Sequence, residues 1–265
     1  MPELPEVQNV KENLKKYILN KKITDIVILY EKICEDNLDI LINKTVHDIK
    51  TFGKYIVFNL SSQVNLIVHL RMEGKFFIKM KDDELTKHDH IIFKFDDFDL
   101  RYNDTRKFGK MCVRKEMELF TLEPLKSLAK EPFTMNKDDF YNSIKKKNIP
   151  IKVVLLDQKI IAGIGNIYAD EILFLSKIFP TRKASSLSRK ESDSIIDNAI
   201  ITLNKAIFLG GSTIHSYNSL GVDGKFQNEL LVHTRENKKC ATCGNTIKKI
   251  KVGGRGTYVC EFCQK

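Results

Sequence analysis

Several things are missing from this 265-residue chain. No apolar run approaches the ~18 residues that a membrane-spanning helix needs, so no such helix is expected. The opening residues are acidic and have no short apolar core, so no secretory signal is expected and the expected compartment is the cytoplasm. Acidic residues are in deficit, 34 against 44 basic, for a formal net charge of +10. That imbalance favours a polyanionic partner, with nucleic acid ahead of a membrane surface. The hydrophobic share, 42%, is ordinary for a globular protein. A chain of this length buries a sizeable core and suits two domains.

What is present begins at the first residues, Met1-Pro2-Glu3-Leu4-Pro5-Glu6-Val7. If Met1 is removed, Pro2 becomes a secondary amine, which no side chain offers. An α-amine has a reference pKa near ~8, against about 10.4 for lysine, so more of it is unprotonated at neutral pH. Such an amine can attack a carbonyl-type carbon and form an iminium. Glu3, or Glu6 one helical turn on, can move the proton the reaction needs. The plainer reading stands beside it. Pro followed by acidic residues is also a good helix start, with the carboxylates facing the positive end of the dipole.

Val7, Val10, Leu14 and Ile18 recur at helical spacing, which predicts an amphipathic helix over 3–19. Eight short β-rich runs follow: 23–29, 45–49, 55–60, 65–71, 75–80, 91–95, 99–102 and 110–114. Close spacing between turn-forming residues predicts a β-sandwich or barrel. Lys54 lies in Phe-Gly-Lys-Tyr at a strand start. Met72, in His-Leu-Arg-Met-Glu-Gly, is either core or a flexible apolar wedge. Asp104-Thr-Arg-Lys-Phe-Gly109 reads as a loop that sets Phe108 beside the cations Arg106 and Lys107. That composition suits insertion into a stacked duplex, and a cap on the sandwich is the plainer alternative.

Residues 121–150 are mixed, carry Pro124, Pro132 and Pro150, and include a run of three lysines, 145–147. A helix is expected over 151–158 and a second through Phe174, with Gly163 and Gly165 between them and Asn166 as its cap. The exposed N–H groups at that helix start form a natural phosphate site. No strand precedes Gly-x-Gly, so a dinucleotide-binding fold is not expected. Ser188 and Glu191 form a capping box for a helix through about Phe208. The polar stretch 213–227 is long for a structureless loop, which points to function or disorder.

The cysteines divide into four and two. Cys240-x2-Cys243-x16-Cys260-x2-Cys263 fits one structural zinc ion, with four thiolates and no open coordination position. Between the pairs, Gly253-Gly254-Arg255-Gly256 reads as a hairpin turn carrying an arginine. Cys34 and Cys112 stand alone and are expected to be buried thiols.

Taken together and in order, MPELPEV, FGKY, HLRMEG, DTRKFG, DQKIIAGIGNIYADEILF and the paired cysteines resemble the formamidopyrimidine-DNA glycosylase family, bacterial enzymes that excise oxidised purines. The resemblance covers nearly the whole chain. It implies an α+β protein with an N-terminal β-sandwich domain carrying an N-terminal helix (1–132). A helix–two-turns–helix domain with a lesion-recognition loop (133–235) and a zinc finger (236–265) complete it. It implies Pro2 as nucleophile, Glu3 as proton donor and Lys54 beside the reacting sugar. Met72, Arg106 and Phe108 would fill the gap left by an extruded nucleotide. His88, Lys107, Lys152, Asn166 and Arg255 would contact DNA, and Ser212, Ser216 and Tyr217 would lie near the extruded base. The implied partner is damaged double-stranded DNA, met by a monomer holding one zinc ion. Thr105 replaces a frequent Pro, Lys107 a frequent Arg, and His215 stands where an arginine is frequent. The alternatives are an endonuclease VIII-type preference for oxidised pyrimidines, or a zinc-finger DNA-binding protein without catalysis.

Overall fold

A computed structural model describes residues 1–212 and 224–265. They fall into two compact units, Met1–Lys126 with Gly210–Gly224, and Ser127–Leu209 with Lys225–Lys265.

The first unit opens with α1 (Leu4–Ile18), one residue shorter at each end than the apolar stripe suggests. Pro5 lies in its first turn, where a missing N–H costs nothing. Val7, Val10, Leu14 and Ile18 are buried, while Lys15 and Lys16 complement the dipole in the last turn. Eight strands follow: β1 (Asp25–Ile28), β2 (Val46–Phe52), β3 (Tyr55–Leu60), β4 (Val64–His69), β5 (Lys75–Lys79), β6 (Asp89–Lys94), β7 (Asp99–Asn103) and β8 (Lys110–Lys115). They form two four-stranded antiparallel sheets, β1-β6-β7-β5 and β2-β3-β4-β8. One core joins the inner faces of both sheets to α1, among them Val10, Leu14, Phe58, Leu66, Phe76, Phe93 and Tyr102. This is the sandwich the spacing predicts.

The strand order has a direct consequence for the loops. β4 and β8 are neighbours in one sheet, and β5 and β7 are neighbours in the other. The β4–β5 and β7–β8 connections therefore cross between the sheets side by side. Those two connections are residues 70–74 and 104–109. The isolated cysteines also lie in this unit. Cys112 is buried and Cys34 half-buried, and burial pushes both thiols up to about 11.

The second unit holds α2 (Lys137–Ile144), α3 (Ile151–Leu156), α4 (Asn166–Leu175), α5 (Arg189–Phe208) and a hairpin of β9 (Lys248–Val252) and β10 (Arg255–Val259). Asn136 caps α2 through the N–H groups of Asp138 and Asp139. The Ser188–Glu191 capping box opens α5 as the sequence predicts. Asn166 does not cap α4. Gly165 takes the cap position, and the Asn166 amide turns instead to donate to the Gly256 carbonyl at 3.1 Å.

Beneath that contact lies a buried polar network. Lys152 is 0% exposed. Its Nζ donates to Asp170 Oδ1 at 2.7 Å, Thr257 Oγ1 at 2.7 Å and the Gly256 carbonyl at 3.2 Å. The other Asp170 oxygen meets His233 Nδ1 at 2.8 Å and accepts from the Tyr258 N–H at 3.3 Å. Next to it, Glu171 accepts the N–H groups of Leu231, Val232 and His233 at 2.8, 3.0 and 2.8 Å. Burial nevertheless holds its carboxyl above the usual range. Two consecutive helical carboxylates thus fasten the hairpin and the segment before it to α4. The expectation that Lys152 grips a phosphate is corrected here: its ammonium is enclosed and bonded on three sides. Breaking a buried ion pair from one side typically costs about 3–5 kcal/mol. Lys152→Met should therefore lower stability by about that amount in urea unfolding, because the Asp170 charge stays buried without its cation.

Candidate functional site

The head of α1 is built from polar groups that do not reach solvent. Pro2, Glu3 and Glu6 are all buried, whereas Met1 is 46% exposed. Glu6 Oε2 accepts the Glu3 N–H at 2.9 Å, which fixes the backbone just after Pro2. Glu6 Oε1 accepts the Ser212 N–H at 2.7 Å and its hydroxyl at 3.2 Å. Gly211 lies so close that a Cβ there would stand 2.9 Å from Glu6 Oε1, and its φ is +80°. Only glycine combines that approach with that backbone. One carboxylate therefore fixes both the start of α1 and Gly211–Ser212. Tyr217, expected at the extruded base with Ser216 and His215, lies outside the described residues.

The side-by-side connections carry Met72 and Arg106–Phe108. Thr105, Arg106, Lys107 and Phe108 are all exposed, while Asp104 and Gly109 on either side are buried. Asp104 organises this loop. Its Oδ1 accepts the Arg106 N–H at 2.9 Å, and its Oδ2 accepts those of Phe108 at 3.0 Å and Gly109 at 2.8 Å. The Tyr102 hydroxyl donates to the same Oδ2 at 3.3 Å. A short acidic side chain bonded to following N–H groups is the usual device for a tight turn. Here it leaves an aromatic ring and two cations projecting. The Arg106 guanidinium lies 4.8 Å from the centre of the Phe108 ring. Lys107 has a φ of +58° and holds its ammonium 4.6 Å over the Tyr30 ring. Met72 is half-buried. Asp104 has a role the sequence reading missed, although an Asp opening a turn before an exposed aromatic was a usable signal.

His88 is half-buried, and its carbonyl accepts the Asp104 N–H at 3.0 Å. The stretch before it is gripped from below by Arg101, itself buried. The Arg101 guanidinium donates to the carbonyls of Glu84 at 2.9 Å and Asp83 at 2.7 Å. Lys54, in the turn between β2 and β3, is buried. The register places Tyr55 opposite His69 and His69 opposite Lys110, so Lys54 lies at the same end of the sandwich as the β4–β5 and β7–β8 connections. His69 Nδ1 accepts the Arg71 N–H at 2.9 Å, which leaves the ring proton on Nε2. Burial, with Arg71 and Lys54 nearby, drives the His69 pKa down to about 3. At neutral pH it is an uncharged ring beside cations.

In the second unit, Arg255 is exposed directly after the Gly253–Gly254 turn, and its neighbour Gly256 is the residue held by Lys152 and Asn166. Asn166 itself is half-buried at the first position of α4. Beyond the hairpin, the sulfurs of Cys240, Cys243, Cys260 and Cys263 all lie within 4.8 Å of one another. Cys240–Cys263 is 3.9 Å and Cys243–Cys260 is 3.4 Å. Zn–S bonds of about 2.3 Å in a tetrahedron place sulfurs about 3.8 Å apart, so the four fit one zinc ion. The Asn245 amide donates to Cys243 at 3.4 Å and brings that thiol down to about 6, which favours the thiolate a metal needs.

Comparison with known proteins agrees along the chain. Residues 1–111 match the formamidopyrimidine-DNA glycosylase N-terminal domain, 124–218 the formamidopyrimidine-DNA glycosylase H2TH domain, and 237–265 the zinc finger found in FPG and IleRS. A formamidopyrimidine-DNA glycosylase of Mycoplasma mobile is 45% identical over 274 residues, spanning 100% of this chain and 99% of that one. A Lactococcus lactis FPG mutant in complex with a Fapy-dG containing DNA superposes with a TM-score of 0.96 at 39% identity, over 100% of both chains. Lactococcus lactis Fpg in complex with an abasic site containing DNA gives 0.95 at 39% identity over 99% of both.

Two measurements check this geometry. The folded His69 pKa lies below its unfolded value, so the unfolded chain binds the proton first as pH falls. Its contribution to stability is therefore full above about 6.5 and declines toward 3. His69→Gln should flatten the loss of stability across that window in unfolding curves. Chelation of zinc should release one equivalent of metal, and amide exchange should rise across 237–265 first, because metal binding there is folding free energy.

Proposed function

Because this chain belongs to the formamidopyrimidine-DNA glycosylase family, we propose that it is a base-excision repair enzyme acting on oxidised purines, 8-oxoguanine and formamidopyrimidines, in duplex DNA. It is a bifunctional glycosylase and abasic-site lyase. It works as a single copy, and the reading puts it in the cytoplasm, on the chromosome. Among the described residues no helix is long and apolar enough to cross a membrane.

The observation that carries the mechanism is the enclosed Pro2–Glu3 pair, held by Glu6 and preceded by an exposed Met1. Removal of Met1 frees the Pro2 nitrogen from its amide. The target nucleotide leaves the stack, because its sugar carbon is otherwise out of reach. Met72, Arg106 and Phe108 fill the gap. Pro2 N forms a bond to C1′ and the glycosidic bond breaks; the base departs with its electron pair and takes up, through water, the proton that the Pro2 amine loses. Glu3 gives its proton to the ring oxygen, the sugar opens and the Pro2 adduct becomes an iminium. The iminium acidifies the C2′ protons, so a proton leaves C2′ and the 3′-phosphate is eliminated. The 5′-phosphate follows by a second elimination, and water frees Pro2 by hydrolysis.

Lys54 sits beside the reacting sugar. His88, Lys107, Asn166 and Arg255 contact the DNA, and the family resemblance assigns Tyr217 to the extruded base. The four cysteines hold one structural zinc ion that fixes the hairpin bearing Arg255 and takes no part in bond making.

Borohydride reduction during reaction with a duplex containing 8-oxoguanine opposite cytosine should trap a covalent adduct, and mass spectrometry should map it to Pro2 of a chain lacking Met1. Pro2→Gly should lower trapping at least about 100-fold, since the nucleophile changes from a secondary to a primary amine in an altered position. Duplex binding with no adduct, on this lesion or on an oxidised pyrimidine, would leave a non-catalytic DNA-binding protein.

A further inference from the structure

We propose that Glu73 and Thr105 are positioning residues that join the Met72 segment and the Arg106–Phe108 loop into one rigid probe. The inference rests on the reading above that both segments enter damaged DNA.

The two segments start from favourable topology. Each crosses between the same two sheets, and the order of strands makes the crossings adjacent. At their base they share one atom. A Cβ on Gly74 would lie 2.2 Å from the Tyr102 hydroxyl, and one on Gly109 would lie 1.7 Å from it. Both segments are therefore pressed against the same buried phenol, which also donates to the Asp104 carboxylate that shapes the second loop. At their rim they share one hydrogen bond. The Thr105 hydroxyl donates to Glu73 Oε2. Glu73 adjoins Met72 and Thr105 adjoins Arg106, so the tie lies one residue from a wedge on each side.

Charge makes the tie more telling. An exposed glutamate on a segment that enters DNA opposes the binding of a polyanion. Glu73 is exposed, and its carboxylate is turned to the Thr105 hydroxyl of the neighbouring loop. A proline at position 105 would have no hydroxyl and could not make the bond. Tied at base and rim, the methionine and the phenylalanine enter a base stack as one body, without a search over independent loop positions.

The test uses the full-length zinc-loaded protein and duplexes with 8-oxoguanine opposite cytosine, plus 2-aminopurine beside the lesion to report opening of the stack. Thr105→Val keeps the shape and removes the hydroxyl. It should slow single-turnover excision and the 2-aminopurine phase together by about three- to tenfold, the range of one lost hydrogen bond. Affinity for undamaged duplex should be unchanged. Thr105→Ser should restore both rates. Glu73→Ala, which removes the acceptor, should slow both rates as Thr105→Val does, and the double variant should be no slower than Thr105→Val alone, because the two changes remove one interaction.

If Thr105→Val runs at the wild-type rate, or if the two changes multiply, the tie has no positioning role while the glycosylase reading stands. If the wild-type protein itself forms no Pro2 adduct, that reading fails and the inference falls with it.

Discussion

The Glu6 carboxylate is the interaction on which the first unit's chemistry depends. It accepts from the residue after Pro2 on one oxygen and from Ser212 on the other. Ser212 lies 206 positions beyond Glu6 in sequence. A buried carboxylate with donors on both oxygens is hard to displace, because each lost bond leaves a charge without compensation. The backbone just after Pro2 and Gly211–Ser212 are thereby held to the same point at the head of α1. Position is what an amine nucleophile needs most, since its intrinsic reactivity is modest.

The same economy recurs elsewhere. Asp104 bends a loop so that its aromatic and cationic side chains face outward while its N–H groups are satisfied inward. Arg101 does for residues 83–84 what Asp104 does for residues 106–109, donating to carbonyls where Asp104 accepts from amides. In the second unit, Asp170 and Glu171 perform the equivalent task for the hairpin and residues 231–233. Each exposed contact group thus stands on a buried ionic or polar support. Such supports cost more to desolvate than apolar packing, and they are directional, which apolar packing is not.

Much of this was legible in the sequence. The α1 stripe, all eight strands, the α5 capping box and the four-cysteine site follow from periodicity, turn residues and ligand spacing, which are local properties. The failures were those of long-range pairing. Lys152 looks like any basic residue near a helix start, and only the fold reveals Asp170 and Thr257 around its ammonium. Asn166 has the composition of a cap, but the Gly256 carbonyl 90 positions away takes its amide. Tyr102 has no distinctive spacing, Asp104 signals only that a turn opens there, and Glu6 shows only its place one turn after Glu3. Their roles exist only once two loops, or a loop and a helix, are brought to one place.

Cys34 and Cys112 bear on a different matter, survival under the conditions that create the substrate. Oxidised purines arise where reactive oxygen is abundant, and thiols are damaged there through their thiolate form. With pKa values near 11, both side chains are ionised to only about one part in 10⁴ at neutral pH. Burial, which serves the sandwich as packing, thus also disfavours the thiolate through which peroxide attacks. The remaining four cysteines, at the opposite end of the chain, depend instead on the metal ion their sulfurs surround.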